Sequence, residues 1–142
     1  MSYSHKDESY RQRLETSLAQ LERDKLISTW YDREILPGGT WDREINENLD
    51  SAAIILLLVS PDFLASEYIN SYELSRALER QRSGSAIVVP IILRPSDLKK
   101  DSPLKALQAL PSEGRPISKW GNRDKAWLDI TRGLRRLIEA KR

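Results

Sequence analysis

Tyr10, Leu14, Leu18 and Leu21 recur at intervals of four, four and three, which puts them on one face of a helix from about Asp7 to Arg23. Leu26 to Tyr31 is β-prone. It runs into a stretch from Asp32 to Thr40 whose Pro37, Gly38 and Gly39 predict an exposed loop, and Trp41 to Leu49 reads as a short helix. Two later segments show no alternation at all. Ala52 to Val59 and Ala86 to Leu93 are continuously apolar apart from Pro90, the pattern of strands covered on both faces of a parallel sheet. Pro90 lacks a ladder donor and counts against a fully paired position. Between the two runs, Ser60-Pro61-Asp62 supplies an N-cap, a first-turn proline and an acid, so a helix starts there. Its apolar face continues through Leu64, Tyr68, Tyr72, Leu74, Ala77 and Leu78 to Ser83-Gly84. The prolines at 95, 103, 111 and 116 predict a loop-rich stretch from Arg94 to Trp120, with one short helix at Leu104 to Leu110 and a weak strand at Arg115 to Ser118. Trp127, Ile130, Leu134, Leu137 and Ile138 close the chain with an amphipathic helix.

Strands alternating with helices predict an α/β fold with a right-handed, mostly parallel sheet and helices on both faces. Ligands of such folds bind beyond the carboxyl ends of the strands. The loops to watch are therefore Ser4 to Asp7, Asp32 to Thr40, Ser60 to Ser66, and Arg94 onward.

The 142 residues fit one domain spanning 1–142, and 39% hydrophobic with 31% charged residues is a folded, globular balance. The longest apolar run is far short of the roughly 20 residues that span a bilayer, and no signal-peptide pattern opens the chain. A cytoplasmic protein without membrane contact is the expectation. The absence of cysteine excludes disulfides and thiolate chemistry. A lone histidine, His5, argues against a transition-metal site and against any serine hydrolase triad that bypasses it, so no metal is expected. A net charge of +2 is too small to point to nucleic acid, and Arg132, Arg135, Arg136, Lys141 and Arg142 read as a solvated helix end.

The polar opening Ser2-Tyr3-Ser4-His5-Lys6-Asp7-Glu8 suits a helix cap as well as a phosphate-holding turn. In the 32–40 loop neither a P-loop nor a GxGxxG spacing occurs, and Ile35 and Leu36 either tuck back onto the domain or dock to a partner. Glu73 follows Tyr68 and Tyr72 on a helical stretch, and by pattern alone it is an ordinary solvated glutamate.

Taken in order, these segments resemble the TIR (Toll/interleukin receptor) domains of bacteria. Ser2-Tyr3-Ser4-His5-Lys6-Asp7-Glu8 is similar to the end of the family's first box, and Trp30-Tyr31-Asp32-Arg33-Glu34-Ile35 with Pro37-Gly38 to the second box and its loop. Leu58 to Ser66 and Val89 to Pro95 match the segments that follow. The resemblance implies a flavodoxin-like three-layer sandwich of about five parallel strands. The first strand is expected to be truncated, since Met1 begins almost inside the first box. It also implies cleavage of NAD⁺ to nicotinamide and ADP-ribose or a cyclic isomer, in bacterial immune or stress signalling, with Glu73 as the catalytic glutamate. Tyr3, Ser4, His5, Asp32, Arg33 and Trp41 would surround the nucleotide, with Tyr68 standing in as the stacking aromatic where Ile69 occupies the family's tryptophan position. NAD⁺ is then substrate, and no cofactor is required.

Self-association, or pairing with other TIR domains through Ile35, Leu36, Pro37 and Gly38, is the second property the resemblance implies. A TIR module that works by contact alone is the alternative function. The phospho-receivers share the fold but need an aspartate at the end of the third strand, where this chain has Val59-Ser60. A geometric expectation accompanies the enzymatic reading. An unbroken helix from Pro61 would carry Glu73 roughly 18 Å along its axis, too far from the carboxyl edge, whereas a break near Ser66 brings it back within about 10 Å.

Overall fold

The computed structural model describes residues 2–23, 33–35, 54–66, 72–98 and 102–141. Their strands are β1 (Ser2–Ser4), β2 (Arg33–Ile35), β3 (Ile54–Val59) and β4 (Ile87–Ile92), and their helices α1 (Glu8–Arg23), α2 (Pro61–Ala65), α3 (Tyr72–Ser83) and α4 (Arg123–Lys141). The sheet order is β2-β1-β3-β4 with every pairing parallel. β3 and β4 pair along their whole length, from Ile54 opposite Ile87 to Val59 opposite Ile92. The three-residue β1 lies between β2 and β3, so the predicted short first strand is an inner one.

The two apolar runs lack alternation because both faces of the sheet are covered. Leu56, Leu58, Val89 and Ile91 join one hydrophobic cluster with α1 (Leu14, Leu18, Leu21) and α4 (Trp127, Ile130, Leu134, Ile138). Ile55, Leu57, Val59, Val88 and Ile92 join a second, with Phe63 of α2 and Leu74, Ala77 and Leu78 of α3. Leu57 and Leu58 are fully buried. Each such side chain contributes about 1.5–3 kcal/mol through removal of apolar surface from water.

Pro90 fits where it stands because of the direction its backbone faces. Its carbonyl accepts from Leu110 N at 2.9 Å, and Ile92 N donates to Leu110 O at 2.8 Å, so residues 90 and 92 address the outer side of β4, away from β3. Val88 faces the same side, and its N–H donates to Gln81 Oε1 at 2.6 Å. The missing donor of Pro90 thus falls on the sheet's outer edge, where it breaks no bond to β3.

Three expectations are corrected. Leu104 to Leu110 is not a helix: a 3-10 turn at Pro103–Ala106 ends at Leu107, which is extended, and Leu110 forms a single parallel bridge with Ile91. Arg115 to Ser118 is not a strand. Pro116 precedes a 3-10 turn at Ile117–Lys119, which is held by Ser118 N donating to Leu93 O at 3.1 Å. The stretch taken as a loop from Asp32 begins instead with strand residues, Arg33, Glu34 and Ile35, paired with Ser2, Tyr3 and Ser4. The β-prone stretch at 26–31 and the short helix at 41–49 lie outside the described residues.

One helical glycine is a packing requirement. A Cβ on Gly133 would stand 2.6 Å from Leu110 Cδ2, and Leu110 is only 4% exposed, so it has little room to yield. Gly133→Ala gains about 1 kcal/mol of helix propensity and loses about 1–3 kcal/mol to overpacking. The expected result is a net loss of about 1 kcal/mol, read as a lower urea midpoint with an unchanged slope.

Candidate functional site

Three of the loops singled out by topology leave the carboxyl ends of adjacent strands and are tied together by side chains. Ser4 ends β1 and caps the 3-10 turn His5–Asp7, its Oγ accepting from Lys6 N at 3.4 Å. Ser60 follows β3 and caps α2, its Oγ accepting from Phe63 N at 3.1 Å. Asp7 is 1% exposed, with both carboxylate oxygens occupied. Oδ2 accepts from Ser60 Oγ, and Oδ1 from Arg94 Nη2 at 2.9 Å. The same Arg94 nitrogen donates to Asp62 Oδ2 at 2.6 Å, and Lys6 Nζ stands 3.6 Å from Asp62 Oδ1.

The electrostatics follow from these contacts. Asp62 is held below the ordinary aspartate range, first by the Arg94 hydrogen bond, which outweighs the desolvation that raises it, and then by the charges of Lys6 and Arg94. Arg94 is raised, first by Asp62. Glu8, in the first turn of α1, is lowered chiefly by the Arg11 hydrogen bond. A carboxyl whose folded pKa is depressed adds stability above its unfolded pKa and loses it as pH falls through the folded one. Asp62→Asn is therefore expected to be less stable than the wild type at neutral pH, with the gap closing as pH drops below about 4. Melting temperatures of both proteins across that range check this, and a gap independent of pH would contradict it.

The helix after β3 breaks at Ser66, near the expected position. Ser66 is extended (φ −75, ψ 160), and its N–H and hydroxyl both turn back to the Phe63 carbonyl, at 3.1 and 2.6 Å, which stops α2 after Ala65. The chain is helical again from Tyr72. The 12 residues of α3 rise about 18 Å and the six of β4 about 20 Å. Since α3 leads through Gly84 into the start of β4, its first turn, with the Glu73 backbone, stands level with the strands' carboxyl ends.

Of the residues expected around a nucleotide, Tyr3 is a core side chain, 4% exposed. Ser4 is also buried. His5 is half-buried, and its Nδ1 is shielded from solvent with no hydrogen-bond partner among the described residues. Arg33 opens β2 opposite Ser2, and Ile35 ends it opposite Ser4. Asp32, Leu36, Pro37, Gly38, Trp41 and Tyr68 lie outside the described residues. Asp7, Ser60, Asp62 and Arg94 were legible only as caps and loop residues; a conserved spacing could not reveal them, because the Asp7 to Arg94 contact joins positions 87 apart. A hollow of about 730 Å³ on the outer side of β4, walled by Ile92, Leu104, Leu107, Leu110 and Pro116, shares no residue with this cluster. Its lining also includes Lys105, Glu113 and Arg136.

Comparison with known proteins agrees with this architecture. The family described as "TIR domain" matches residues 1–136. A protein of Sinorhizobium fredii (strain NBRC 101917 / NGR234) named "Uncharacterized protein y4lF" is 46% identical over 134 residues, covering 94% of this chain and 41% of the relative. The chain thus spans less than half of that relative's length. No solved structure matches.

Proposed function

The chain belongs to the TIR domain family, and on that premise we propose that it cleaves the nicotinamide–ribose bond of NAD⁺, with Glu73 as the catalytic carboxylate. The observation carrying this reading is the helix break at Ser66, which restarts α3 at Tyr72 and returns Glu73 to the level of the carboxyl edge. No helix of the described residues is long and apolar enough to cross a membrane.

The chemistry asks for little more than one placed carboxylate. As the C–N bond breaks, its electron pair stays on the nicotinamide nitrogen, which leaves a pyridinium as a neutral base. The leaving group needs no proton, unlike the departing oxygen of an ordinary glycoside. The ribose becomes oxocarbenium-like, and an ionised glutamate stabilises that charge and holds the ribose hydroxyls. Water then captures the cation and loses a proton to give ADP-ribose, or an adenine nitrogen captures it to give a cyclic isomer. Tyr3, Ser4, His5, Asp32, Arg33, Trp41 and Tyr68 would surround the dinucleotide. Assembly of several copies through Ile35 to Gly38 would complete the site, in bacterial immune or stress signalling. The bridge between Leu110 and Ile91 on the outer side of β4 supports a flavodoxin-like sheet with a fifth strand there.

The second reading, a module that docks other TIR domains without turnover, draws on the apolar pair Ile35 and Leu36. Two substitutions separate the readings. Glu73→Ala should abolish NAD⁺ loss and leave self-association intact, whereas Leu36→Asp should impair self-association. A protein whose association depends on Leu36 and which never consumes NAD⁺ is the docking module.

A further inference from the structure

Arg94 joins elements that backbone pairing leaves independent at this edge. Its Nη2 reaches Asp7, at the end of the turn after β1, and Asp62, in the first turn of α2. Asp7 in turn takes the hydroxyl of Ser60, the residue that starts α2. One guanidinium thus fastens the turn carrying Ser4, His5 and Lys6 to the helix whose break leads toward Glu73, and does so from the second residue beyond β4. Arg94 is 33% exposed while Asp7 is 1% exposed, so the cation closes the cluster from the solvent side over a buried anion. Loss of one partner would leave the buried carboxylate uncompensated.

We propose that Arg94 is a positioning residue: by clamping Asp7 and Asp62 it sets the distance between the Ser4–Lys6 turn and α2, the short helix that precedes α3 and Glu73, without itself touching substrate. This rests on the NAD⁺-cleaving reading for its catalytic consequence and on the geometry alone for the clamp. Displacement of a bound reactant by about 1 Å lowers rates by up to about 100-fold. A clamp of this kind therefore appears in kcat, and in KM as well to the extent that Ser4 and His5 of the clamped turn hold the dinucleotide.

The chain's single histidine makes the test direct, because an imidazole NMR signal can come only from His5, beside the clamped turn. Three full-chain variants are compared: Arg94→Gln, Arg94→Lys, and Asp7→Asn with Arg94→Gln. The double variant removes the buried charge along with its partner, so it folds even where Arg94→Gln does not. It is expected to show a displaced imidazole signal and a kcat for NAD⁺ cleavage lowered about 10- to 100-fold. Arg94→Lys, which can offer several donors from one nitrogen as Nη2 does here, should recover most of both. A folded double variant with wild-type kcat overturns the proposal, as does a kcat loss with an unmoved imidazole signal. If the wild type releases no nicotinamide, the enzymatic reading fails separately. The clamp then stands if the signal is displaced in the double variant and restored in Arg94→Lys, and it falls if the signal never moves.

Discussion

Phe63→Ala is expected to lower the stability of this protein by about 3–5 kcal/mol, the range for emptying a fully enclosed aromatic site. Phe63 has no exposed surface and lies in the cluster formed by Ile55, Leu57, Val59, Leu74 and Leu78, so its ring fills the space between the sheet and two helices. α2 has only five residues, too few to persist through its own hydrogen bonds, and Phe63 is its buried anchor. The residue also organises both ends of that helix: its N–H meets the Ser60 cap, and its carbonyl takes Ser66. For a chain of this size the loss corresponds to a melting temperature lower by about 10 °C or more. Leu64 is the internal control. It is the next residue on the same helix but only half-buried, and its truncation should cost less than half as much. Equal losses at 63 and 64 would show that α2 is not anchored as described.

Glu73→Gln is expected to lower kcat for NAD⁺ cleavage by about three orders of magnitude, the effect of removing one preorganised charge from a developing ionic transition state. Glutamine keeps the shape and the hydrogen-bonding oxygen of glutamate and loses only the negative charge. KM should therefore change little, because ground-state contacts to the ribose survive while stabilisation of the oxocarbenium does not. Glu73 is the second residue of α3, and Glu73→Gln keeps the length and shape of its side chain while Leu74, Ala77 and Leu78 of the buried face are unchanged. Stability measured by urea should accordingly stay near that of the wild type. A large fall in KM together with kcat would instead indicate that Glu73 strains the bound substrate.

The parts of the fold that were legible in the sequence are those with a local signature. Leu14, Leu18 and Leu21 announce α1 by spacing, and Ile54–Val59 and Ile87–Ile92 announce buried parallel strands by their unbroken apolar character. Ser60-Pro61-Asp62 fixes the start of α2 because cap, proline and acid act within one turn. The region from 103 to 119 departs from its sequence pattern because its shape comes from distant partners. Leu110 is extended through bonds to Pro90 and Ile92, and Ser118 is held by Leu93, contacts that no periodicity records. Arg33-Glu34-Ile35 carries one apolar residue in three, so only its pairing with β1 reveals a strand. The candidate site divides in the same way. Glu73 and the Ser4–Lys6 turn entered through likeness of ordered segments, whereas Asp7 and Arg94 became partners only once β1 and β4 were folded into one sheet.

The most direct test of the central claim is to hold the purified protein at high concentration with NAD⁺ and a crowding agent, and to separate the products by chromatography. Release of nicotinamide in step with appearance of ADP-ribose or a cyclic isomer, absent from a folded Glu73→Gln protein, is the predicted result. NAD⁺ left intact by a folded, self-associated wild type would contradict it.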